Sequence, residues 1–299
     1  MNDVIKNFYK DKNILVTGGA GYIGSALSKK LVELDANVII VDDLSSGEIS
    51  NILSIINRVK FYKKSILEFN ELIKISKNID IMFHLAALTN VNESNQDSNR
   101  YIDVNFCGTK NILECCRVNN IKKIVYASSC AVYGQIDQEC SEDMICNPIS
   151  IYGLSKYISE LLIIKYSQLF DINSSILRYF NVLYSKGSVS YNFKKSIEEN
   201  LDIIIYGDGL QSRDFVLLDD IIIANIISGV DRKLKYQILN VASGKSKSII
   251  ELLEDMKLQF SKDNKINNIF YKPARSNEVR YIKSNIEKYN KLKSEYNII

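Results

Sequence analysis

Tyr152 and Lys156 stand four residues apart in the stretch YGLSK, so a helix there puts both side chains on one face. Alone, the pentapeptide fits two readings: an exposed i,i+4 contact, or a phenol with a cation set beside it for chemistry. A second signature lies near the start of the chain. Gly18, Gly19, Gly21 and Gly24 satisfy GxGxxG through Gly19, Gly21 and Gly24, and GxxGxxG through Gly18, Gly21 and Gly24. Glycines so spaced allow a tight turn, close backbone approach to a pyrophosphate and close helix–strand packing, with phosphates on the helix's positive end. Asp42 closes the next apolar run, where an acid can hold a ribose diol. A carboxylate there, followed by Asp43 rather than arginine, repels a 2′-phosphate and favours NAD over NADP.

The surrounding pattern supplies elements to position these groups. NILV is too short before the glycines to be a helix and reads as a strand. Ile23, Leu27, Leu31 and Leu34 recur at helical spacing, and NVIIV reads as a strand buried on both faces. VKFYKKS and IDIMFHLAAL then read as strands, LEFNELIKIS and YIDVNFCGTKNILECCRVNN as helices, and KKIVYASS as the next strand. Strands alternating with helices predict an α/β fold: a doubly wound parallel sheet of Rossmann type, beside a smaller C-terminal lobe. Ligands of such a sheet lie at the carboxyl ends of its strands, where HLAA, Asn105 and YASSCAVYG fall. His84 reads as a packed, hydrogen-bonded residue, because the small Ala86 and Ala87 already account for HLAA sterically.

Bulk properties narrow the function classes. The chain has 299 residues, 46% hydrophobic and 24% charged, as an ordinary soluble globular protein has. Its net charge of +3 comes from 38 basic and 35 acidic residues, too balanced to imply nucleic acid. There is no apolar run long enough for a membrane span, and the polar start lacks a signal-peptide core. Cysteines at 107, 115, 116, 130, 140 and 146 show no paired CxxC spacing, and a single histidine argues against a zinc site. The expected setting is a reducing cytoplasm.

Taken together, TGGAGYIG, VDDLSSG, HLAA, SSCAVYG, YGLSK, RYFN, GDGLQSRDFV and PARSNE resemble the extended short-chain dehydrogenase/reductase family, nearest to its nucleotide-sugar 4-epimerases. The resemblance runs from about Asn13 to Lys288. It implies Ser129, Tyr152 and Lys156 as the catalytic set, with Ser129 five residues before Gly134 of VYG. A free tyrosine, with a pKa of about 10, is a poor base at neutral pH. Lysine and a positive nicotinamide ring favour phenolate, and a shift of about three units corresponds to roughly 4 kcal/mol. Tyr152 would take the sugar O4 proton, Ser129 would hydrogen-bond O4, and Lys156 would also hold the nicotinamide ribose. The resemblance implies NAD contacts at Gly18, Gly21, Tyr22, Ile23 and Gly24, and at Asp42, Ser46, Ser65 and Ile66. It adds Leu85, Ala86, Ala87, Asn105 and Tyr179 to Tyr152 and Lys156.

For a sugar nucleotide it implies Ser129, Tyr152, Asn181, Arg213, Arg275, Glu278 and Ile282, the arginines on the diphosphate and Glu278 on the ribose. Cys130 and Ala131 occupy positions where the family's dehydratases and decarboxylases keep acids, which leaves oxidation and re-reduction at C4. The chain departs from the pattern at Ser65, where an aspartate is usual, at Thr89, and at Asn277, where glycine is usual. VLYSKGSVSYN replaces a GPR-like stretch after YFN, and the longer closing helix of many relatives is missing. Ile282 is intermediate in bulk and leaves N-acetyl acceptance open.

The expectation is therefore an NAD-dependent 4-epimerase of UDP-glucose and UDP-galactose or their N-acetyl forms. Its rivals are a 4-keto-sugar reductase and a non-catalytic NAD-binding regulator on the same fold. Residues 1–180 are expected to bind NAD, with a further strand or helix from about 214–242, and 181–299 mainly the sugar nucleotide. Helices from TKNILECCRVNN and YGLSKYISELLIIKYSQLF are expected to pair in a homodimer.

Overall fold

Short β-branched runs bounded by glycine or polar turns become strands, and the apolar stripes between them become helices. In a computed structural model describing residues 2–136, 138–260, 268–274 and 279–298, α1 (Asp3–Tyr9) leads into β1 (Asn13–Thr17), α2 (Tyr22–Glu33) and β2 (Asn37–Asp42). A 3-10 segment at Ile49–Arg58 precedes β3 (Val59–Lys63), α3 (Phe69–Ile75) and β4 (Ile81–His84). Next come α4 (Val91–Gln96), α5 (Ser98–Tyr101), a π-helical turn at Ile102–Cys107, α6 (Gly108–Val118) and β5 (Lys123–Ser129). The chain continues through α7 (Ile151–Leu169), β6 (Asn173–Tyr179), β7 (Asn181–Val182), α8 (Val189–Glu198), β8 (Ile203–Tyr206) and β9 (Ser212–Val216). It ends with α9 (Leu218–Val230), β10 (Tyr236–Val241), β11 (Ser246–Ser248), α10 (Ile249–Phe260), β12 (Ile269–Lys272) and α11 (Glu287–Glu295).

Seven strands form one parallel sheet in the order β10-β6-β5-β4-β1-β2-β3, the doubly wound architecture expected from the alternation. The chain runs outward from β1 toward β3 and, after crossing, from β4 toward β6, so the crevice between β1 and β4 is the switch point. Thr17 pairs with His84 and His84 with Tyr126, which keeps the carboxyl ends level.

Strand residues alternate between two cores. Ile14, Val16, Val125 and Ala127 pack with Leu27 and Leu31 of α2 and Ile221 and Ile227 of α9. Leu15, Ile124 and Tyr126 pack with Ile112 and Leu113 of α6 and Ile163 of α7. A third core joins Phe193 and Ile197 of α8, Ile203 and Ile205 of β8, and Leu252 and Met256 of α10. It lies beside two small sheets, β11-β9-β7 and β12-β8. The final helix is short but anchored: Tyr289 and Leu292 are buried, and the Tyr289 hydroxyl donates to the Asp220 carbonyl at 2.9 Å.

Two features depart from simple periodicity. Helix α4 has the polar sequence VNESNQ and is started by the Asn90 side chain, which accepts from the amides of Asn92 and Glu93. The π-turn interrupts the long helix expected over YIDVNFCGTKNILECCRVNN. There the Asn105 carbonyl accepts from the Thr109 and Ser159 hydroxyls, a competing bond of the kind that distorts a helix.

Behind β5 and β6 lies a buried ion pair. Arg178 Nη2 meets Glu160 Oε2 at 2.7 Å with side chains 3% and 1% exposed, Ser128 donates to Glu160 Oε1, and the Arg178 guanidinium lies 4.8 Å from the Tyr133 ring centroid. Arg178→Met strands the Glu160 carboxylate and should cost about 3–5 kcal/mol, read as a lower urea midpoint. The double variant Glu160→Met/Arg178→Met should recover most of that loss. An unchanged midpoint in Arg178→Met would mean the pair does not organise this region.

Candidate active site

The turn from β1 into α2 is made by backbone alone. Gly18 has φ +68°, and a Cβ there would sit 2.7 Å from the Ala86 nitrogen; at Gly24 it would sit 2.0 Å from the Gly18 carbonyl oxygen. The cradle has room for a phosphate and none for side chains, so it fits the dinucleotide that its spacing predicts. Asp42 Oδ2 accepts from the Ala20 amide at 2.9 Å and Oδ1 from the Leu44 amide at 2.8 Å. Burial raises the Asp42 pKa, and these two amides draw it back.

A cavity of about 860 Å³ opens over the carboxyl ends of the strands. Gly18, Gly21, Tyr22, Ile23 and Gly24 line it at the first turn, and Asp42, Ser46, Ser65 and Ile66 beyond β2 and β3. Leu85, Ala86 and Ala87 line it after β4, and Tyr152, Lys156 and Tyr179 on the β5–β6 side. Asn105 is not in the wall. Its amide brackets Leu88, accepting from Leu88 N at 2.8 Å and donating to Leu88 O at 3.0 Å, and it donates to the Ser155 hydroxyl at 3.0 Å. Sequence reasoning expected a cofactor contact; the side chain instead positions the loop after HLAA against α7.

Ser129 ends β5, and its Oγ accepts from the Ala131 amide at 3.2 Å. The first turn of α7 is capped by other segments: Tyr152 N donates to Ser94 Oγ and Ile151 N to Asn95 Oδ1, both at 3.1 Å. Ser150 caps Gly153 N at 3.0 Å. A Cβ on Gly153 would lie 2.5 Å from the Ala131 carbonyl oxygen, so this glycine allows α7 to approach the end of β5. Lys156, a turn further on, donates from Nζ to the Ala127 carbonyl at 2.8 Å. YGLSK is thus no surface pair, since Tyr152 and Lys156 are both buried.

Burial sets the electrostatics here. It pushes the Tyr152 phenol up to about 12 while the Ser129 hydroxyl draws it down, and it pushes Lys156 down to about 7 against the pull of Glu160. The protein groups alone therefore do not supply the acidified tyrosine expected from the motif; further positive charge is required. His84 is bonded to Thr17 Oγ1 at 2.8 Å and Thr109 Oγ1 at 2.9 Å, and burial, then Lys156, lower its pKa to about 3. Thr109 already donates its proton to the Asn105 carbonyl, so His84 Nε2 is the donor to Thr109 and Nδ1 accepts from Thr17. It is a neutral, packed residue.

A second cavity of about 630 Å³ shares Thr89, Ser129, Tyr152, Val182 and Lys186 with the first. Asn181, Arg213 and Ile282 line it, as do Cys130 and Ala131. Arg275 and Glu278 fall outside the described residues. Strand β9 carries Arg213 and is tied to the Ile282 segment on both sides, by Ser212 N to the Arg280 carbonyl at 3.0 Å and by the Ser284 hydroxyl to Asp214 Oδ2 at 3.2 Å. Asp214 is buried and also accepts from the Ser243 amide and hydroxyl and the Gly244 amide. Lys186, which lines both cavities, pairs with Glu48 at 2.7 Å, and Tyr22 donates to the Leu183 carbonyl at 3.0 Å. Ser94, Asn95, Gly153 and Asp214 were not singled out from sequence, although Gly153 lies inside YGLSK and Asp214 inside GDGLQSRDFV.

Residues 14–242 match the family described as NAD dependent epimerase/dehydratase family. A UDP-glucuronate 4-epimerase of Thermodesulfobacterium geofontis is 35% identical over 257 residues, 80% of this chain and 79% of its own length. A UDP-N-acetyl-alpha-D-glucosaminuronate decarboxylase of Bacillus cytotoxicus is 32% identical over 257 residues, 82% of this chain and 79% of its own. Among solved structures, the UDP-N-acetylglucosamine 4-epimerase from Methanobrevibacter ruminantium, in complex with UDP-N-acetylmuramic acid, superposes with a TM-score of 0.88 at 33% identity. That alignment covers 95% of this chain and 92% of the other.

The close approach at Gly153 is testable by itself. Gly153→Ala should leave β1–β4 intact and speed amide exchange at Ser129–Tyr133 by about tenfold or more, as a local opening costing roughly 1.4 kcal/mol less would. Unchanged exchange there would remove Gly153 from the account of how the site is assembled.

Proposed function

The chain belongs to the NAD dependent epimerase/dehydratase family, and from that premise we propose that it inverts C4 of a UDP-linked sugar. The pairs in view are UDP-glucose with UDP-galactose, or their N-acetyl forms. The supporting observation is the wall shared by the two cavities: Ser129 and Tyr152 face both. A dinucleotide in the larger cavity and a sugar in the smaller would meet at those two hydroxyls.

Bound over the glycine cradle, NAD supplies reversible two-electron oxidation at C4. Asp42 holds the adenosine ribose, and Lys156 holds the nicotinamide ribose. Tyr152 takes the O4 proton once the positive charges of Lys156 and the oxidised cofactor lie beside it, which offsets the burial that holds its pKa near 12. Ser129 hydrogen-bonds O4 and relays the proton. Once the keto-sugar presents its other face, Tyr152 returns the proton to O4 as C4 is re-reduced from that side by the two electrons held on the bound cofactor, giving the opposite configuration. Arg213 grips the diphosphate, and Arg275 and Glu278 complete the nucleotide site by resemblance. Asn181 contacts the diphosphate or the sugar, and Ile282 bounds the sugar pocket.

Cys130 and Ala131 separate this reading from the decarboxylase and dehydratase branches. Burial pushes the Cys130 thiol up to about 12, and Ala131 has no proton to give, so neither can act as an acid or base beside C5. On the outer face of α7, Leu154 and Leu161 are 38% and 49% exposed and share a stripe with Ile158, which supports the homodimer expected from the family. The six unpaired cysteines fit a reducing cytoplasm, and no helix among the described residues is long and apolar enough to cross a membrane.

Purified protein incubated with each UDP-sugar should yield the 4-epimer without net consumption of NADH, resolved by chromatography; no 4-epimer from any of them overturns the assignment. Tyr152→Phe should lose on the order of 10²–10⁴-fold in kcat with the melting temperature held. Leu154→Glu/Leu161→Glu should convert dimer to monomer in light scattering; a wild-type monomer removes the proposed interface.

A further inference from the structure

Lys156 is 3% exposed, yet its ammonium carries three donors and gives one to the Ala127 carbonyl. Beneath it lies an aromatic face. Lys156 Nζ is 4.9 Å from the centroid of Tyr126, well inside the roughly 6 Å reach of a cation–π contact. Tyr126 is completely buried, with the hydroxyls of Ser159 and Thr109 beside its own. The face of the ring, not the hydroxyl, is the part of this residue that meets Lys156.

The other groups around Lys156 leave room for the ring to matter. Glu160 lies one turn on in α7, but its carboxylate is already held by Arg178 of β6 with Nη2–Oε2 at 2.7 Å. From β4, the His84 ring packs beside Tyr126 with centroids 5.5 Å apart and planes tilted by 37°, and it stays uncharged. Tyr152 on α7 is protonated in the site as it stands. The carbonyl and the ring that contact the ammonium come from consecutive residues of β5. Both are fixed by register, Tyr126 against His84 and Ile176, Ala127 against Leu177.

We propose that Tyr126 is a positioning residue for the reaction: the negative face of its ring holds Lys156 in place and in its charged form, beside the phenol of Tyr152. This deepens the C4-oxidation reading and rests on it for its role in turnover. Burial brings Lys156 down to about 7 even against the pull of Glu160, so at neutral pH a modest attraction decides which form is present.

The test replaces Tyr126 by Phe and then by mono-, di- and pentafluorinated phenylalanine, which drain the ring's negative face at nearly constant shape. Lysine labelled with carbon-13 at Cε is titrated by NMR, with the Lys156 signal assigned by its loss in Lys156→Met. Tyr126→Phe keeps the ring face and sets the reference midpoint and turnover for the series. Successive fluorination should lower the midpoint stepwise, by roughly one pH unit at the pentafluoro ring, with the basic limb of the kcat profile following. If the pentafluoro protein does not fold, the slope through the mono- and difluoro proteins separates the same two outcomes. A flat series with normal turnover overturns the proposal and leaves the epimerase reading standing. A stepwise series in a protein that converts no UDP-sugar upholds the ring–lysine link and overturns the reaction it serves.

Discussion

The approach of α7 to the end of β5 is the contact on which the rest of the site depends. Ser129 comes from the strand, and Tyr152 and Lys156 from the helix, so their separation is set by how closely two backbones meet. The absent side chain at Gly153 permits the approach, and the Lys156–Ala127 bond pins it one turn further on. Ser128, Glu160 and Arg178 close it from behind as a buried network in which each charge has a partner. Such a network adds little to stability but much to geometry, because breaking one member leaves an uncompensated charge.

The same burial that fixes positions works against charge. Burial favours the protonated Tyr152 phenol, draws Lys156 toward neutrality and, with Lys156, keeps His84 neutral. A site in this condition is quiet until a ligand brings its own charge. Chemistry is thereby tied to occupancy, and an empty site holds no reactive phenolate to be wasted on solvent.

Much of this was legible from local pattern. The strands of the first half, the glycine turn and Asp42 follow from periodicities and turn chemistry that each segment carries within itself. The lining of the larger cavity followed as well, since a parallel sheet delivers its strand ends to one edge. What escaped was tertiary. Asn105 serves Leu88 and Ser155, partners 17 and 50 residues away, which no spacing rule encodes. Ser94 and Asn95 cap a helix that starts more than fifty residues later. The neutral bias of Tyr152 and Lys156 depended on how deeply both side chains sit, and a motif states which residues are present but not their depth.

Asp214 shows how far one buried carboxylate can reach. By holding Ser243, Gly244 and Ser284 while Ser212 holds Arg280, it brackets Arg213 and Ile282 within one hydrogen-bonded unit. Arg213 and Ile282, which both line the second cavity, are therefore mechanically joined. A protein engineer who widens this cavity at Ile282 also disturbs the strand that carries Arg213, so under the proposed reading selectivity and affinity in this scaffold must be tuned together.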